Sequence, residues 1–405
     1  MTIAAQDHVQ PTPPSPSGSR VSASTNWGRV FGLREKGVYY ALLLLIALIT
    51  LATTYIGQSN YLSIQNFSNV VYQSSLMAMM AVAMTVVLIS GNFDLSVASV
   101  AALAAAVLIG NADAVGFWPA AALAMAVAMG IGLINGSIVQ FVGINAFIVT
   151  LGTMTAVRGL VLIYTDGRSL SVSDPGVIAT MRAFEGGRHE GFWLVLAGGV
   201  ALFAAGIVGA LRNKSSGRSL QPGPVGMTIG GIALLLLAWG SGGELPLRNP
   251  VIYLGIFTAV VWFVLGYTMV GRRLYAVGGN SEASRLSGIA VTRYKIMAFV
   301  FSSATAGFAG ILFASRLRSI NPAGLQGAEL TVIAAAILGG TSLFGGAGSV
   351  IKTLAGALLL FSLTNGFNIL NLGANWQGLI EGIVVVVAAA IYTVGNKKAK
   401  SKTGG

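Results

Sequence analysis

Long apolar runs, each separated from the next by a short polar or glycine-rich break, cover most of the chain from residue 38 to residue 395. A helix needs roughly 20 apolar residues to cross the hydrocarbon core of a bilayer. Twelve runs approach that length, near residues 38–57, 70–90, 95–110, 117–139, 144–165, 192–210, 225–240, 251–270, 294–315, 327–340, 350–371 and 374–395. The runs at 95–110, 225–240 and 327–340 are short, and a re-entrant or broken helix at any of them would lower the number of spans. The pattern predicts an all-α polytopic membrane protein with about 10–12 transmembrane helices, including short or broken ones.

The two ends of the chain differ from this apolar body. Residues 1–36 are rich in Pro, Ser, Thr and Gln, and such a segment has too little apolar surface to form a core, which predicts a disordered N-terminal tail. No apolar segment of a cleavable signal lies at the extreme N-terminus, so the first run is expected to be a retained span. The transmembrane domain is then residues 37–395, with an insert at 166–250 that carries two apolar runs, and residues 396–405 form a basic tail.

The composition agrees with a membrane protein and excludes several other classes. The chain of 405 residues is 55% hydrophobic and 9% charged, whereas soluble domains carry about 25% charged residues. Its 54 glycines suit helices that pack through small residues. Because there is no cysteine, disulfides and thiol chemistry are excluded. The net charge of +12 lies in loops beside apolar spans, which favours membrane topology over nucleic-acid binding.

The distribution of positive charge predicts an orientation. With the N-terminus in the cytoplasm, seventeen of the 24 Lys and Arg fall on the cytoplasmic side and seven fall outside. This bias follows the positive-inside rule, so both termini are predicted to be cytoplasmic. The polar segment 271–295 then faces the cytoplasm, and the loop 166–191 faces outward.

The segment from Gly271 to Ile296 is the most polar internal stretch between two long apolar runs. Gly278 and Gly279 are turn formers, and Asn280 or Ser281 can cap a short helix over residues 281–287. Gly288 follows where a residue with positive φ is favoured. So short a helix is not stable alone. It therefore either docks on a partner or belongs to a solvated loop.

Three further sets of polar or glycine residues interrupt apolar runs. Asp94 and Ser96 lie in such a break, where an ionisable group is a functional candidate and Asp94 can equally cap a helix beginning at Leu95. Asn365, Asn368 and Asn371 recur every third residue, as in amides that bond neighbouring helices or the hydroxyl groups of a sugar. A glycine-rich segment, expected to allow positive φ and close backbone approach, contains Gly339, Gly340, Thr341, Ser342, Gly345, Gly346 and Gly348.

No residue set in the sequence predicts catalysis or a bound cofactor. Lys352 and Thr353 follow glycines, but Ile351 occupies the position where a phosphate-binding loop has glycine. The two histidines, His8 and His189, lie far apart and outside the apolar runs, so no metal site is expected. No nucleophile or acid–base pair of the catalytic kind is present.

Several of these segments resemble one family. Glu282-Ala283-Ser284-x-x-x-Gly288 resembles the cytoplasmic loop of permeases from ATP-binding-cassette importers, and the wider run 275–289 resembles its sugar-importer branch. The segment 94–97 and the glycine-rich segment 339–348 resemble the same branch. The insert at 166–250 resembles the layout of the longer xylose-transport subgroup.

The resemblance implies a permease subunit that imports a monosaccharide, with D-xylose expected and another pentose, a hexose or a nucleoside as alternatives. It implies a homodimer in the bacterial inner membrane, a cytoplasmic subunit that holds ATP and Mg, and a periplasmic sugar-binding protein. The loop 166–191 is either its landing surface or an ordinary solvated loop. The residues expected to couple to the ATPase are Asn280, Glu282, Ala283, Ser284, Arg285 and Gly288. The rival class is a proton-coupled secondary transporter that uses Asp94 or Glu381.

Overall fold

The computed structural model describes residues 33–57, 61–215 and 222–372, together with residues 379, 382 and 383. Over these residues the chain forms fourteen α-helices, one π-helix and four short strands. The predicted run 374–395 lies almost wholly outside the described residues, as do Glu381, residues 1–32 and the basic tail.

The elements follow one another as a nearly continuous series of helices. The α-helices are α1 (Leu33–Ile56), α2 (Ile64–Ile89), α3 (Val97–Val115), α4 (Phe117–Ser137), α5 (Ala146–Tyr164), α6 (Pro175–Gly186), α7 (Phe192–Ser215), α8 (Pro222–Gly240), α9 (Asn249–Tyr267), α10 (Met269–Gly279), α11 (Ser281–Leu286), α12 (Val291–Leu317), α13 (Ala328–Leu338) and α14 (Val350–Ile369). The π-helix (Ile138–Val142) continues α4, and the strands are β1 (Leu170–Ser171), β2 (Arg188–Glu190), β3 (Pro246–Arg248) and β4 (Ser319–Ile320).

Ten helices of the described residues are long and apolar enough to cross a membrane, which confirms the all-α polytopic fold. They are α1, α2, α3, α4, α5, α7, α8, α9, α12 and α14.

Two of the short predicted runs prove to be full spans. The run at 95–110 ends later, at Val115, because Asn111 donates to the Val107 carbonyl and the polar residues remain in the helix. Helix α1 begins at Leu33, inside the predicted tail, because Arg34, Glu35 and Lys36 are good helix formers.

Helix α13 is the exception among the short runs. Its 11 residues reach only ~16 Å at 1.5 Å per residue, which is about half of the hydrocarbon core. The glycine-rich segment follows directly and leads to α14. Of the three short runs, 327–340 is therefore the one that forms a helix too short to span the membrane alone.

Strand pairing places several connecting segments on a common side of the bundle. The β1 strand, after α5, pairs antiparallel with β4, after α12. The β2 and β3 strands, which flank the α7–α8 pair, also pair antiparallel. On the opposite side, the end of α2 and the glycine-rich segment meet, since the Gly346 N–H donates to the Ile89 carbonyl at 2.9 Å. The segments that meet on each side of the bundle are those that the alternating spans of the sequence predict to share a side.

The centre of the bundle is built from α2, α3 and α12, whose residues are mostly buried. Small side chains let these helices approach closely. A Cβ at Gly310 of α12 would overlap the backbone of Ala101 in α3, and one at Gly132 of α4 would lie 2.7 Å from the Phe299 carbonyl oxygen. Such contacts are typical of membrane helices, where close packing replaces the hydrophobic effect as the force between helices.

The insert forms a helical hairpin at the edge of the bundle. Helices α7 and α8 pack chiefly against each other, and their outer faces are largely exposed. Gly231 of α8 lies against the backbone of Phe203 in α7, so that a Cβ there would come within 2.5 Å of the Phe203 nitrogen. The neighbouring Gly230 has nothing within 4 Å of a Cβ.

We predict that Gly231→Val forces the hairpin apart and destabilises it by about 1–3 kcal/mol, because the added side chain overpacks a backbone contact. The measurement is the apparent melting temperature of the detergent-purified protein. Gly230→Val is the matched control, since it adds the same side chain to the same helix without a contact. Equal melting temperatures for the two variants would contradict the hairpin packing.

Candidate functional site

The short helix α11 is closed at both ends by its own residues. The Asn280 Oδ1 atom accepts the Ala283 N–H at 2.9 Å, which decides between the two predicted caps. At the other end, Gly288 has a φ of 78°. Its N–H donates to the Arg285 carbonyl, and the Ile289 N–H donates to the Ser284 carbonyl, both at 3.0 Å. These two bonds form a Schellman motif, so the predicted helix and its glycine terminator are confirmed.

Helix α11 has an inward and an outward face. Ser284 is buried, whereas Glu282 and Arg285 are exposed and form an ion pair with a distance of 2.6 Å between Arg285 NH2 and Glu282 Oε2. Leu286, which follows this charged pair, is 81% exposed. The helix therefore presents an acid, a base and an apolar side chain together. The sequence missed Leu286, although its offset of two residues from Ser284 places it away from the buried face.

The residues before α11 are helical instead of a loop. Helix α10 runs to Gly279, burying Gly271, Leu274 and Val277 and exposing Arg272 and Arg273. Gly278 and Gly279, which the sequence assigned to a turn, therefore lie in a helix. Their role is to allow close contact: a Cβ at Gly278 would overlap the Ile89 carbonyl oxygen.

Three glycine segments meet at this point, which we call the glycine junction: Gly91 after α2, Gly278–Gly279 of α10, and Gly345–Gly346 before α14. The Cα of Gly279 would lie 2.7 Å from a Cβ at Gly346, and Gly91 lies against Gly278.

The Tyr275 hydroxyl reinforces the glycine junction by donating to the Gly348 carbonyl at 2.9 Å. Gly340, Gly345 and Gly346 have positive φ, as the sequence predicted for this segment. Thr341 is buried, while Gly339 allows close contact with Thr353 of α14.

Asp94, in the break between the candidate spans α2 and α3, is the centre of a buried hydrogen-bond network. Its Oδ1 accepts the Ser96 N–H at 3.1 Å and the Ser96 hydroxyl at 2.6 Å, and its Oδ2 accepts the Ser302 hydroxyl at 2.8 Å. The Asn135 amide donates to the Ser96 Oγ at 3.1 Å and accepts the Thr153 hydroxyl at 2.6 Å. The network thus joins the start of α3 to α4, α5 and α12.

The network corrects the expectation that Asp94 caps a helix beginning at Leu95. Helix α3 begins at Val97 with Ser96 as its N-cap, and Asp94 bonds to the residue before the helix. Asp94 and Ser96 are both 0% exposed, so they are enclosed by neighbouring helices in this conformation. Sequence reasoning missed Asn135, Thr153 and Ser302, whose only signal is a polar side chain inside an apolar span.

The three predicted asparagines do not share one helix face. Helix α14 ends at Ile369, and Asn371 follows it with a φ of 56° as the left-handed residue of a Schellman motif. Asn368 is exposed. The Asn365 Oδ1 atom is buried without a hydrogen-bond donor among the described residues. Asn371 is therefore a helix terminator, whereas the Asn365 Oδ1 is the atom of the three side chains that is buried with no donor in the described part of the chain.

On the opposite side of the bundle, the segment 166–191 is folded and not an open loop. Glu185 of α6 is buried and accepts from the Tyr72 hydroxyl at 2.6 Å and from the Arg316 Nε at 2.7 Å. The guanidinium groups of Arg248 and Arg316 lie 4.1 Å and 4.0 Å from the centre of the Tyr72 ring. These contacts tie α6 to α2, β3 and α12. Glu185 is thus unavailable as a surface charge, while Arg158, from α5, donates to the Gly324 carbonyl.

Comparison with known proteins gives a consistent set of relatives. A family model described as "Branched-chain amino acid transport system / permease component" matches residues 66–389. The ribose import permease protein RbsC of Escherichia coli (strain K12) is 33% identical over 371 residues, which cover 90% of this chain and 95% of that protein.

Two xylose-related proteins are similar to the same degree. The xylose transport system permease protein XylH of Escherichia coli (strain K12) is 32% identical over 384 residues, covering 92% of this chain and 96% of that protein. Its namesake in Haemophilus influenzae (strain ATCC 51907 / DSM 11121 / KW20 / Rd) is 32% identical over 373 residues, covering 89% and 97%. No solved structure matches the chain.

We predict that Gly278→Ala separates the glycine junction and destabilises the protein by about 1–3 kcal/mol, because the added methyl group meets a carbonyl oxygen that cannot move independently of α2. The measurement is again the apparent melting temperature. Gly266→Ala is the control, since Gly266 is also helical and has nothing within 4 Å of a Cβ. That control is expected to be neutral or slightly stabilising, and a Gly278→Ala protein that melts at the same temperature would argue against the junction.

Proposed function

The chain belongs to the permease family of ribose- and xylose-type sugar importers of the ATP-binding-cassette class, and we propose that it carries D-xylose across a bacterial inner membrane. Relatives named for ribose and for xylose are equally similar, so both support a pentose. The insert, with its α7–α8 hairpin, favours xylose because the longer layout resembles the xylose-transport subgroup. Other pentoses, hexoses and nucleosides are the competing substrates.

We further propose that α11 is the helix through which a separate cytoplasmic ATP-binding subunit drives this permease. The single observation that carries this proposal is that α11 is a capped helix with Glu282, Arg285 and Leu286 exposed on its outward face. A six-residue helix is too short to be stable by itself, and its exposed face offers both charged and apolar side chains to a partner. On this proposal ATP and Mg are held by the partner, and this chain has no catalytic role.

A movement of α11 has a short route into the membrane-spanning helices. The Ser281 hydroxyl donates to the Val277 carbonyl, so α11 is bonded directly to the end of α10. From there the glycine junction leads to the end of α2, and Asp94 lies three residues beyond Gly91. Contacts between backbone atoms leave no side-chain rotamers to absorb a displacement. The route thus ends at the network that joins α3, α4, α5 and α12.

The remaining parts of the proposal come from the family. A second copy of the chain completes the pathway, and a periplasmic sugar-binding protein delivers the sugar to the side that carries α6 and the two small sheets. Both termini and α11 then face the cytoplasm, in agreement with the positive-inside distribution.

We predict that Gly288→Val abolishes sugar-stimulated ATP hydrolysis and uptake together. Gly288 has open space around it but a φ of 78°, so the substitution acts through backbone strain of about 1 kcal/mol or more and misplaces the end of α11. The measurement is ATP hydrolysis and xylose and ribose uptake in proteoliposomes that contain the ATP-binding subunit and the loaded binding protein.

Gly288→Asn is the matched control, because asparagine tolerates the left-handed conformation, and it is expected to retain most activity. Two results would contradict the proposal: equal activity of the valine and asparagine variants, or sugar uptake by membranes that contain no ATP-binding subunit. The second result would favour a secondary transporter. Preference for ribose in the unsubstituted complex would replace xylose as the substrate.

We predict that Asn365→Leu lowers sugar uptake by up to about tenfold, the effect of losing one hydrogen bond to a substrate hydroxyl, while assembly with the ATP-binding subunit is unchanged. Asn371→Gly is the control, since glycine suits a left-handed helix terminator at least as well. Uptake is measured in the same proteoliposomes. Unchanged uptake by Asn365→Leu would assign this amide to helix packing.

A further inference from the structure

A cavity of about 620 Å³ opens beside the Asp94 network, on the same side of the bundle as α11. Its walls come from four parts of the chain: the break after α2, the π-helix, the start of α5 and the first turns of α12. The lining side chains that carry the argument are Asn92, Phe93, Gln140, Asn145, Phe147 and Lys295. Its volume lies within the range of about 300–1,000 Å³ that is usual for small-molecule sites.

The chemistry of the lining suits a neutral polyhydroxylated ligand. Phe93 and Phe147 supply apolar rings that can pack against the C–H groups of a sugar, and the Gln140 and Asn145 amides supply uncharged hydrogen-bonding groups. The NH2 group of the third amide, Asn92, already donates to the Ser90 Oγ at 3.0 Å. Neither the Gln140 amide nor the Lys295 ammonium group has a hydrogen-bond or ion-pair partner among the described residues. The lining contains no carboxylate.

Two local structures hold these polar groups in place. The Asn145 Oδ1 caps α5 by accepting the Phe147 N–H at 2.9 Å, which leaves its NH2 group as a donor. Gln140 lies in the π-helix that extends α4 and ends at Gly143, which has a φ of 81°. A π-helical turn is uncommon and occurs frequently at functional sites. The Asn145 side chain and the backbone that carries Gln140 are thus held in place before any ligand arrives.

The position of the cavity connects it to the proposed coupling route. Gly91, Asn92 and Phe93 form one wall and directly precede Asp94, while the π-helix continues the helix that carries Asn135. Gly91 itself lies against Gly278 of the glycine junction. A displacement of α11 that passes through the junction therefore moves a wall of this cavity.

From these observations we propose that the cavity is the cytoplasmic release site of the transported monosaccharide, with Gln140, Asn145 and Lys295 binding its hydroxyl groups and Phe93 and Phe147 packing against its ring. The proposal rests on the proposed function and adds to it the place where the sugar is last held. Asn365, the amide predicted above to bond a sugar hydroxyl, lies near the end of α14 that is farther from the glycine junction. The Asn365 contact and the cavity would therefore lie at opposite ends of the pathway.

The natural absence of cysteine permits a direct test by single-cysteine labelling. Gln140→Cys is labelled with a membrane-impermeant maleimide from the α11 side, in inside-out vesicles that contain the complete complex. Free xylose or ribose at about nine times its dissociation constant should slow modification about tenfold. Thr292→Cys, which is exposed on the same side and does not line the cavity, should be labelled at the same rate with and without sugar. Ile144→Cys, a second lining position, replaces Gln140→Cys if that variant does not assemble.

Each alternative outcome overturns the site in a distinguishable way. Protection by inorganic phosphate and not by sugar would make the cavity an anion site built on Lys295. Equal protection by sucrose would show a non-specific effect. No protection in a variant that still imports sugar with ATP would place release elsewhere and leave the proposed function intact. If the unsubstituted complex imports no monosaccharide, the proposed function itself fails.

Discussion

A carboxyl group buried at membrane depth must be hydrogen-bonded, and much of this bundle is arranged around how Asp94 meets that requirement. Its two oxygens accept three hydrogen bonds from Ser96 and Ser302, and Asn135 and Thr153 extend the network. Because a partly satisfied buried network is costly, the helices that supply these groups are held in one relative arrangement. Ser302 lies ~16 Å from the start of α12 at 1.5 Å per residue, so the network holds that helix at a point well inside its length.

The glycine junction links this fixed centre to the surface. Gly91, Gly278 and Gly345 bring three chain segments into backbone contact, and the Gly346 N–H bonds to the Ile89 carbonyl. Side chains would separate these segments and allow each to move independently. Without side chains, the end of α2, α10 and the segment before α14 are in direct backbone contact next to Asp94, and α11 is bonded to the end of α10. Helix α12, whose Ser302 hydroxyl donates to Asp94, ends at Leu317, and the pair of Arg316 with the buried Glu185 anchors that end on the opposite side.

The Asp94 network and the glycine junction together set the position of the proposed release cavity. It lies where the break after α2 faces the π-helix, beside the network and next to the junction. If α11 moves as proposed, the wall formed by the break after α2 moves with it, while the network holds α3, α4, α5 and α12 together. On the opposite side of the bundle, the Tyr72 ring contacts the guanidinium groups of Arg248 and Arg316, and these contacts help to hold the folded segment 166–191. The hydrogen-bonded centre of the bundle is thus separate from α11 and the segment 166–191, which are the parts expected to contact partners.

The sequence by itself determined the apolar spans that the structure describes and the capped helix α11, since these depend on local composition, helix capping and glycine at left-handed positions. It left three short runs as candidates for a broken helix, and the structure has the short helix at 328–338. It also indicated the segment around Asp94, because a charge within an apolar run is visible without a fold. Only the tertiary structure decided which groups satisfy that charge, since Asn135, Thr153 and Ser302 are distant in the sequence and resemble ordinary polar residues of a span. For the same reason, Gly278 was assigned to a turn. It must lack a side chain because it packs against the backbone of Ile89, which lies on another helix. The roles of Asn365 and Asn371 separated only when the end of α14 was known, because a repeat of three residues does not show where a helix stops.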